Sequence, residues 1–220
     1  MVLLCTVSKV ESERFQTKLN RTDALLTASH CTIDLPYNAP SFTYASFDDG
    51  LSFIRVKQIL RGDAGLGVDF GLWIPNDEKG YVAYNAIKPY KLSERGQLDF
   101  GEEIDSWGTP LGLGLTYTKG IVSQPSVDRP ILSDVDQINW VGMIAADLNC
   151  AGGCSGSSVF DSKGEVVAVL VGSLFDFTGF KHTYLTPVTR IFDALDDEDL
   201  TLPIDRKKDD HTDKKKDENG

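Results

Sequence analysis

Apolar residues in this chain recur in short runs, and helical spacing is nearly absent until the end. The runs cover residues 2–10, 24–28, 42–47, 52–60, 70–74, 103–107, 116–122, 143–146, 159–160, 165–171 and 183–185. Glycine, asparagine, aspartate or proline punctuates most of the gaps. Many short strands separated by turn signals predict an all-β sandwich or barrel. One helix is expected, over 187–195, where Val188, Ile191, Phe192 and Leu195 stand at helical spacing behind Pro187. The stretch 85–97 is polar, contains Pro89 and has no clean period, so it is the candidate linker between two halves.

With 220 residues the chain can bury a sizeable core, as one large domain or two small barrels. No stretch approaches the roughly 18 uninterrupted apolar residues of a membrane span, so no membrane partner is expected. The net charge of −11 argues against nucleic acid, whose backbone is bound by displacing counterions with Lys and Arg. Part of that charge lies in 193–220, which is rich in Asp, Glu and Lys and reads as a solvated tail. Met1-Val2-Leu3-Leu4-Cys5 is briefly apolar but has neither a basic stretch nor a small-residue cleavage site, and no signal peptide is assigned. The spacing Cys150-x-x-x-Cys154, with no second pair or histidine nearby, is not that of a metal site.

Two segments carry chemistry. In Leu26-Thr27-Ala28-Ser29-His30-Cys31 a histidine follows an apolar run, where a strand ends. In Gly152-Gly153-Cys154-Ser155-Gly156-Ser157-Ser158-Val159-Phe160 a serine sits in a glycine-rich turn. A serine hydroxyl is inert until a neighbour takes its proton, and a histidine is the usual acceptor. The pair resembles the Thr-Ala-x-His-Cys and Gly-x-Ser-Gly signatures of the chymotrypsin-like serine proteases. The order His, Asp, Ser of that superfamily requires a carboxylate between the two, to hold the imidazole's tautomer. Asp69 fits best: in Gly67-Val68-Asp69-Phe70-Gly71-Leu72-Trp73-Ile74 it opens an apolar strand, as in the family's Asp-x-Ala-Leu element. Asp48, Asp49 and Asp63 compete, but none leads into such a strand. His182 and His211 offer no rival set.

The resemblance implies a catalytic set of His30, Asp69 and Ser155, with oxyanion donors from the amides of Gly153 and Ser155. Ser155 rather than Cys154 is the expected nucleophile, because it is the residue followed by glycine. The usual form is Gly-Asp/Asn-Ser-Gly-Gly, and here Cys154 and Ser157 depart from it. Without an acid at 154, activation by a newly cut N-terminus is not expected. Gly101-Glu102-Glu103-Ile104-Asp105-Ser106-Trp107-Gly108-Thr109-Pro110-Leu111-Gly112-Leu113-Gly114, continuing to Thr118-Lys119-Gly120-Ile121-Val122-Ser123, resembles the second-barrel opening of bacterial-type trypsin-like peptidases, including the high-temperature-requirement proteases.

The likeness spans about residues 1–195 and implies two six-stranded antiparallel β-barrels with a short C-terminal helix. The expected divisions are a first barrel at 1–88 with His30 and Asp69, a linker at 89–98, a second barrel at 99–197 with Ser155, and a charged tail at 198–220. No PDZ-like extension is expected after the second barrel. In the family at least one strand precedes the one at 2–10, so either the first barrel starts incomplete or Met1 is not the true start; the latter would favour an extracytoplasmic location.

The implied function is a serine endopeptidase acting on protein or peptide substrates with no cofactor and no metal. The rivals are a viral-type processing protease of narrow specificity and an inactive homologue that binds proteins. By the same resemblance, Val171, Gly172 and Ser173 wall the specificity pocket, Asn149 forms its base, and His182 stands on the strand that lines it. There His182 either bonds a polar or acidic side chain with Asn149, or points to solvent and leaves the pocket to small apolar residues. None of these is acidic, so a preference for Lys or Arg is not expected. A Cys5–Cys31 disulfide is implied under oxidising conditions, whereas Cys150–Cys154 is disfavoured because it would strain the oxyanion turn.

Overall fold

The computed structural model describes residues 5–31, 43–46, 53–128, 138–175 and 181–202. Strands β1 (Ser8–Glu11), β2 (Asp23–Thr27), β3 (Thr43–Ala45), β4 (Ile54–Arg61), β5 (Gly71–Pro75) and β6 (Tyr90–Lys91) form one sheet, in the order β3-β4-β5-β2-β1-β6. Strands β7 (Glu103–Gly108), β8 (Thr116–Gln124), β9 (Ile144–Ala146), β10 (Ser158–Phe160), β11 (Val166–Phe175) and β12 (Lys181–Pro187) close into a barrel, in the order β10-β11-β12-β9-β8-β7. Neighbours pair antiparallel throughout, except β1 with β6. The second half is thus a closed barrel. Among the described residues the first half is a six-stranded sheet with β3 and β6 at its edges.

Each apolar run of the sequence overlaps one of these strands; residues 2–4, 42, 47 and 52 of those runs lie outside the described residues. The strand outside the runs is β6, whose two residues are both exposed and so leave no burial pattern. It pairs with β1, Leu92 then donates its amide to Glu11 O, and Ser93 donates to Val166 O. The segment read as a linker is therefore stitched to both halves.

The helix at 187–195 is α3 (Val188–Asp196), with Val188, Ile191, Phe192, Ala194 and Leu195 buried. Two further helices have no apolar stripe. In α1 (Glu13–Leu19) only Phe15 is buried, and in α2 (Glu78–Ala86) only Gly80 and Tyr84. Their signals are caps: Ser12 accepts from the Arg14 amide and Asp77 from the Gly80 amide, each satisfying a free N–H of the first turn. Of the charged tail, Glu198–Leu200 makes one helical turn and Thr201 bridges to Gly62, with Leu200 packed against the core. Residues 203–220 lie outside the described residues.

The core of the first sheet does not end at its own strands. Val10, Phe15, Leu26, Phe70 and Leu72 pack in one cluster with Phe160, Val166 and Val169 of the barrel and with Val188, Ile191, Phe192 and Leu195 of α3. A second cluster, with Ile104, Val122, Ile144, Cys154, Val159, Leu170 and Leu185, fills the barrel. The candidate site lies along the seam between these two clusters.

Candidate active site

Leu25, Leu26 and Ala28 are fully buried, which anchors β2, and a one-turn helix (Ser29–Cys31) lifts the chain off the sheet directly after it. His30 emerges there with its side chain 29% exposed. Its Nδ1 lies 2.6 Å from Asp69 Oδ2, and its amide donates to Asp69 Oδ1 at 3.0 Å. A carboxylate is an acceptor, so this bond puts the proton on Nδ1 and the lone pair on Nε2.

Asp69 sits just before β5 with no exposed surface. Burial pushes its carboxyl upward, but the side-chain bond and charge of His30, the Ser29 hydroxyl and the His30 amide outweigh that and hold it below the ordinary carboxylate value. Ser29 Oγ donates to Asp69 Oδ1 at 2.7 Å. From the other half, Thr186 Oγ1 on β12 donates to the Asp69 carbonyl at 3.2 Å. The competitor Asp63 is used elsewhere, capping the Ala64–Leu66 turn by accepting from the Gly65 amide. Asp48 and Asp49 lie outside the described residues.

The turn bearing Ser155 is pressed against this region. Gly156 has φ +86, and a Cβ there would collide with Thr27 Oγ1 and the Thr6 carbonyl and crowd the Ala28 amide. Glycine is required for both reasons. Gly153 has φ +102, and a Cβ there would strike the Thr109 carbonyl and the Leu111 amide. Ser157 does not have a positive φ, so the family's second glycine has no steric necessity here. The Ser155 hydroxyl donates to the Val171 carbonyl at 2.9 Å.

Cys5 is joined to Cys31, with Cα atoms 6.2 Å apart. Cys150 is also joined to Cys154, against the expectation that so short a loop would strain the turn. Their Cα atoms are 6.2 Å apart as well, within the span a disulfide takes. Cys154 is fully buried and packs in the barrel core, which is what an apolar residue can do and an unpaired acid cannot.

The residues named for the pocket are spread more widely. Val171, Gly172 and Ser173 follow one another on β11, with Gly172 opposite Tyr184 and Ser173 opposite Thr183 on β12. Ser173 Oγ lies 2.8 Å from Thr183 Oγ1, and Thr183 Oγ1 donates to the Leu148 carbonyl at 2.6 Å. His182 is half-buried, its ring 6.4 Å from that of Tyr184. Asn149 is exposed, with its amide bonded to Thr118 Oγ1.

The six-stranded sheet and the closed barrel thus bring a buried carboxylate, a histidine and a glycine-bounded serine turn into one region. The chain belongs to the trypsin-like peptidase domain family, whose pattern matches residues 19–169. Its fold is similar to that of the MamO protease domain from Magnetospirillum magneticum in its apo form, at 14% identity and TM-score 0.58, covering 79% of this chain and 83% of that one. It is similar too to Rv3671c from M. tuberculosis H37Rv, an inactive serine-to-alanine mutant, at 14% identity and TM-score 0.57, covering 82% and 79%. A third is the HtrA-type protease AlgW with a decapeptide, at 17% identity and TM-score 0.56; 79% of this chain is covered, but only 47% of AlgW. No curated protein matches the sequence.

Sequence reasoning missed Ser29, Thr6 and Thr183. Ser29 stood beside the histidine, but a hydroxyl's partner across 40 residues of sequence has no periodic signal. Thr6 follows the first cysteine, and Thr183 was read only as the start of a strand.

Proposed function

We propose that this protein is a serine endopeptidase in which Ser155 attacks the scissile carbonyl. The observation that carries this is the buried Asp69 carboxylate bonded to His30 Nδ1, beside the turn that holds Ser155. The Ser155 hydroxyl leaves the Val171 carbonyl for His30 Nε2 when substrate is bound, since catalytic hydrogen bonds often form only in that complex. His30 takes the hydroxyl proton as the Oγ–carbon bond forms, and Asp69 stabilises the resulting imidazolium. The oxyanion is received by the amides of Gly153 and Ser155, each such donor contributing about 3–4 kcal/mol. His30 then protonates the leaving amine, and water, activated by the same imidazole, releases the acyl group from Ser155.

The substrate is a peptide, a reading supported by family membership and by the decapeptide held by AlgW. Labelling with a fluorophosphonate tests the reading. The adduct is expected on the peptide containing Ser155 and is expected to vanish in Ser155→Ala; a folded wild type that takes no label overturns it. One observation favours a non-catalytic peptide-binding homologue, namely that the Ser155 hydroxyl is turned to Val171. That protein would bind peptides and stay unlabelled.

A further inference from the structure

In the absence of an acid at position 154, something else must hold the oxyanion turn in shape. Each carbonyl from Gly152 to Ser155 has a donor. Gly152 O accepts from the Leu111 amide at 2.6 Å, Cys154 O from the Ser157 amide at 2.9 Å, and Ser155 O from the Thr6 amide at 2.8 Å. Gly153 O accepts from the Thr6 hydroxyl at 3.0 Å and the Thr109 hydroxyl at 3.4 Å. Two amides are also used, Cys154 to Ala151 O and Gly156 to Leu170 O. Among the described residues the amides of Gly152, Gly153 and Ser155 have no acceptor, and of the four peptides whose carbonyls are held those left free are the Gly153 and Ser155 amides.

A trans peptide points its C=O and N–H in opposite directions, so a carbonyl that is held fixes the amide behind it. By this rule the Gly153 amide is fixed through Gly152 O by Leu111 and the Ser155 amide through Cys154 O by Ser157, while Thr6 holds the peptide between those two donors, through Gly153 O, and the peptide after them, through Ser155 O. It is suited to this. Thr6 is buried, its carbonyl accepts from Thr27 Oγ1 at 2.8 Å, and the preceding Cys5 is bonded to Cys31. Its Oγ1 also accepts the Thr109 amide at 3.2 Å, which leaves its own proton for Gly153 O.

We propose that Thr6 is a positioning residue that fixes the oxyanion turn from the first half of the molecule, in place of the buried ion pair of activatable relatives. The inference rests on reading Ser155 as the nucleophile. Thr6 touches neither substrate nor the reacting atoms; it acts through the Gly153 and Ser155 carbonyls.

The test is fluorophosphonate labelling resolved into its two constants, because the phosphoryl oxygen occupies the oxyanion position once the bond to Ser155 forms. Thr6→Val removes only the hydroxyl. It is expected to slow the bond-forming step about 10–100-fold, less than loss of a direct donor, with initial binding of the probe unchanged. Thr6→Ser, which keeps the hydroxyl, is expected to restore most of the rate. Should Thr6→Val fail to fold, Thr109→Val carries the test, with a several-fold loss in the same step. Equal rates in wild type and folded Thr6→Val overturn the proposal, as does a Thr6→Ser loss as large as that of valine. A wild type unlabelled at Ser155 removes the peptidase reading itself, and with it this role.

Discussion

Ser29 shows what one buried hydroxyl can do for a charge. It supplies Asp69 with a donor that neither His30 nor the backbone replaces, and hydrogen bonds to a charged group contribute about 1.5–3 kcal/mol. Ser29→Ala should therefore lower stability by about 2 kcal/mol at pH 7. The pH dependence has a definite sign. Asp69 is held below its ordinary value when folded, so its contribution is present above about pH 4, the value for an unfolded carboxyl, and fades as pH falls through the lower folded value. Denaturant titrations at pH 7 and pH 3 should show the gap between Ser29→Ala and wild type narrowing in acid. A gap that widens would mean that Ser29 serves packing rather than the carboxylate. The pairing of Ser29 with Asp69 is not legible in the sequence, whereas the motifs that single out His30, Asp69 and Ser155 as candidates are, because short motifs preserve residue type and local turn but not distant partners.

At the scale of elements, β1 carries a lysine inward. Lys9 is 5% exposed, lies 3.1 Å from Asp23, and sits over the Tyr84 ring at 4.0 Å. It also donates to the carbonyls of Tyr84 and Ile87, at the C-terminus of α2, where a cation meets the negative end of the helix. Arg21 completes the group on Asp23, whose carboxyl is held below its ordinary value although burial opposes this, while burial and Asp23 drive Tyr84 upward. Lys9→Met should cost about 3 kcal/mol, because it takes from the half-buried Asp23 one of its two cations and from the Ile87 carbonyl a donor. Chemical denaturation measures this, and a variant as stable as wild type would show that Arg21 alone suffices. The same elements explain what the sequence revealed and what it hid. Apolar strands such as β5, whose five residues are all buried, announce themselves. Helix α2 does not, since its attachment is a lysine on another strand and a cap at Asp77, both of which look like surface chemistry in a one-dimensional string.

On the scale of the molecule, the shared cluster of the first sheet, β10, β11 and α3 argues that the two halves unfold together. Trp73 lies in the first sheet and Trp140 packs beside the barrel, so fluorescence samples both. Urea unfolding followed by fluorescence and by far-ultraviolet circular dichroism should give one coincident transition; two resolved steps would show that the halves are separable. The family resemblance implies two halves, but this shared core is not legible in the sequence, because no local pattern tells a helix which sheet it will cover. Helix α3 also has a consequence for how the protein is made. It is translated after the strands of both halves, yet it packs in one cluster with Phe15 and Leu26, which are translated long before it. At roughly 5–20 residues per second, synthesis takes on the order of ten seconds to pass from β6 to α3. For that interval a first sheet that has already formed keeps exposed the apolar residues that α3 later covers.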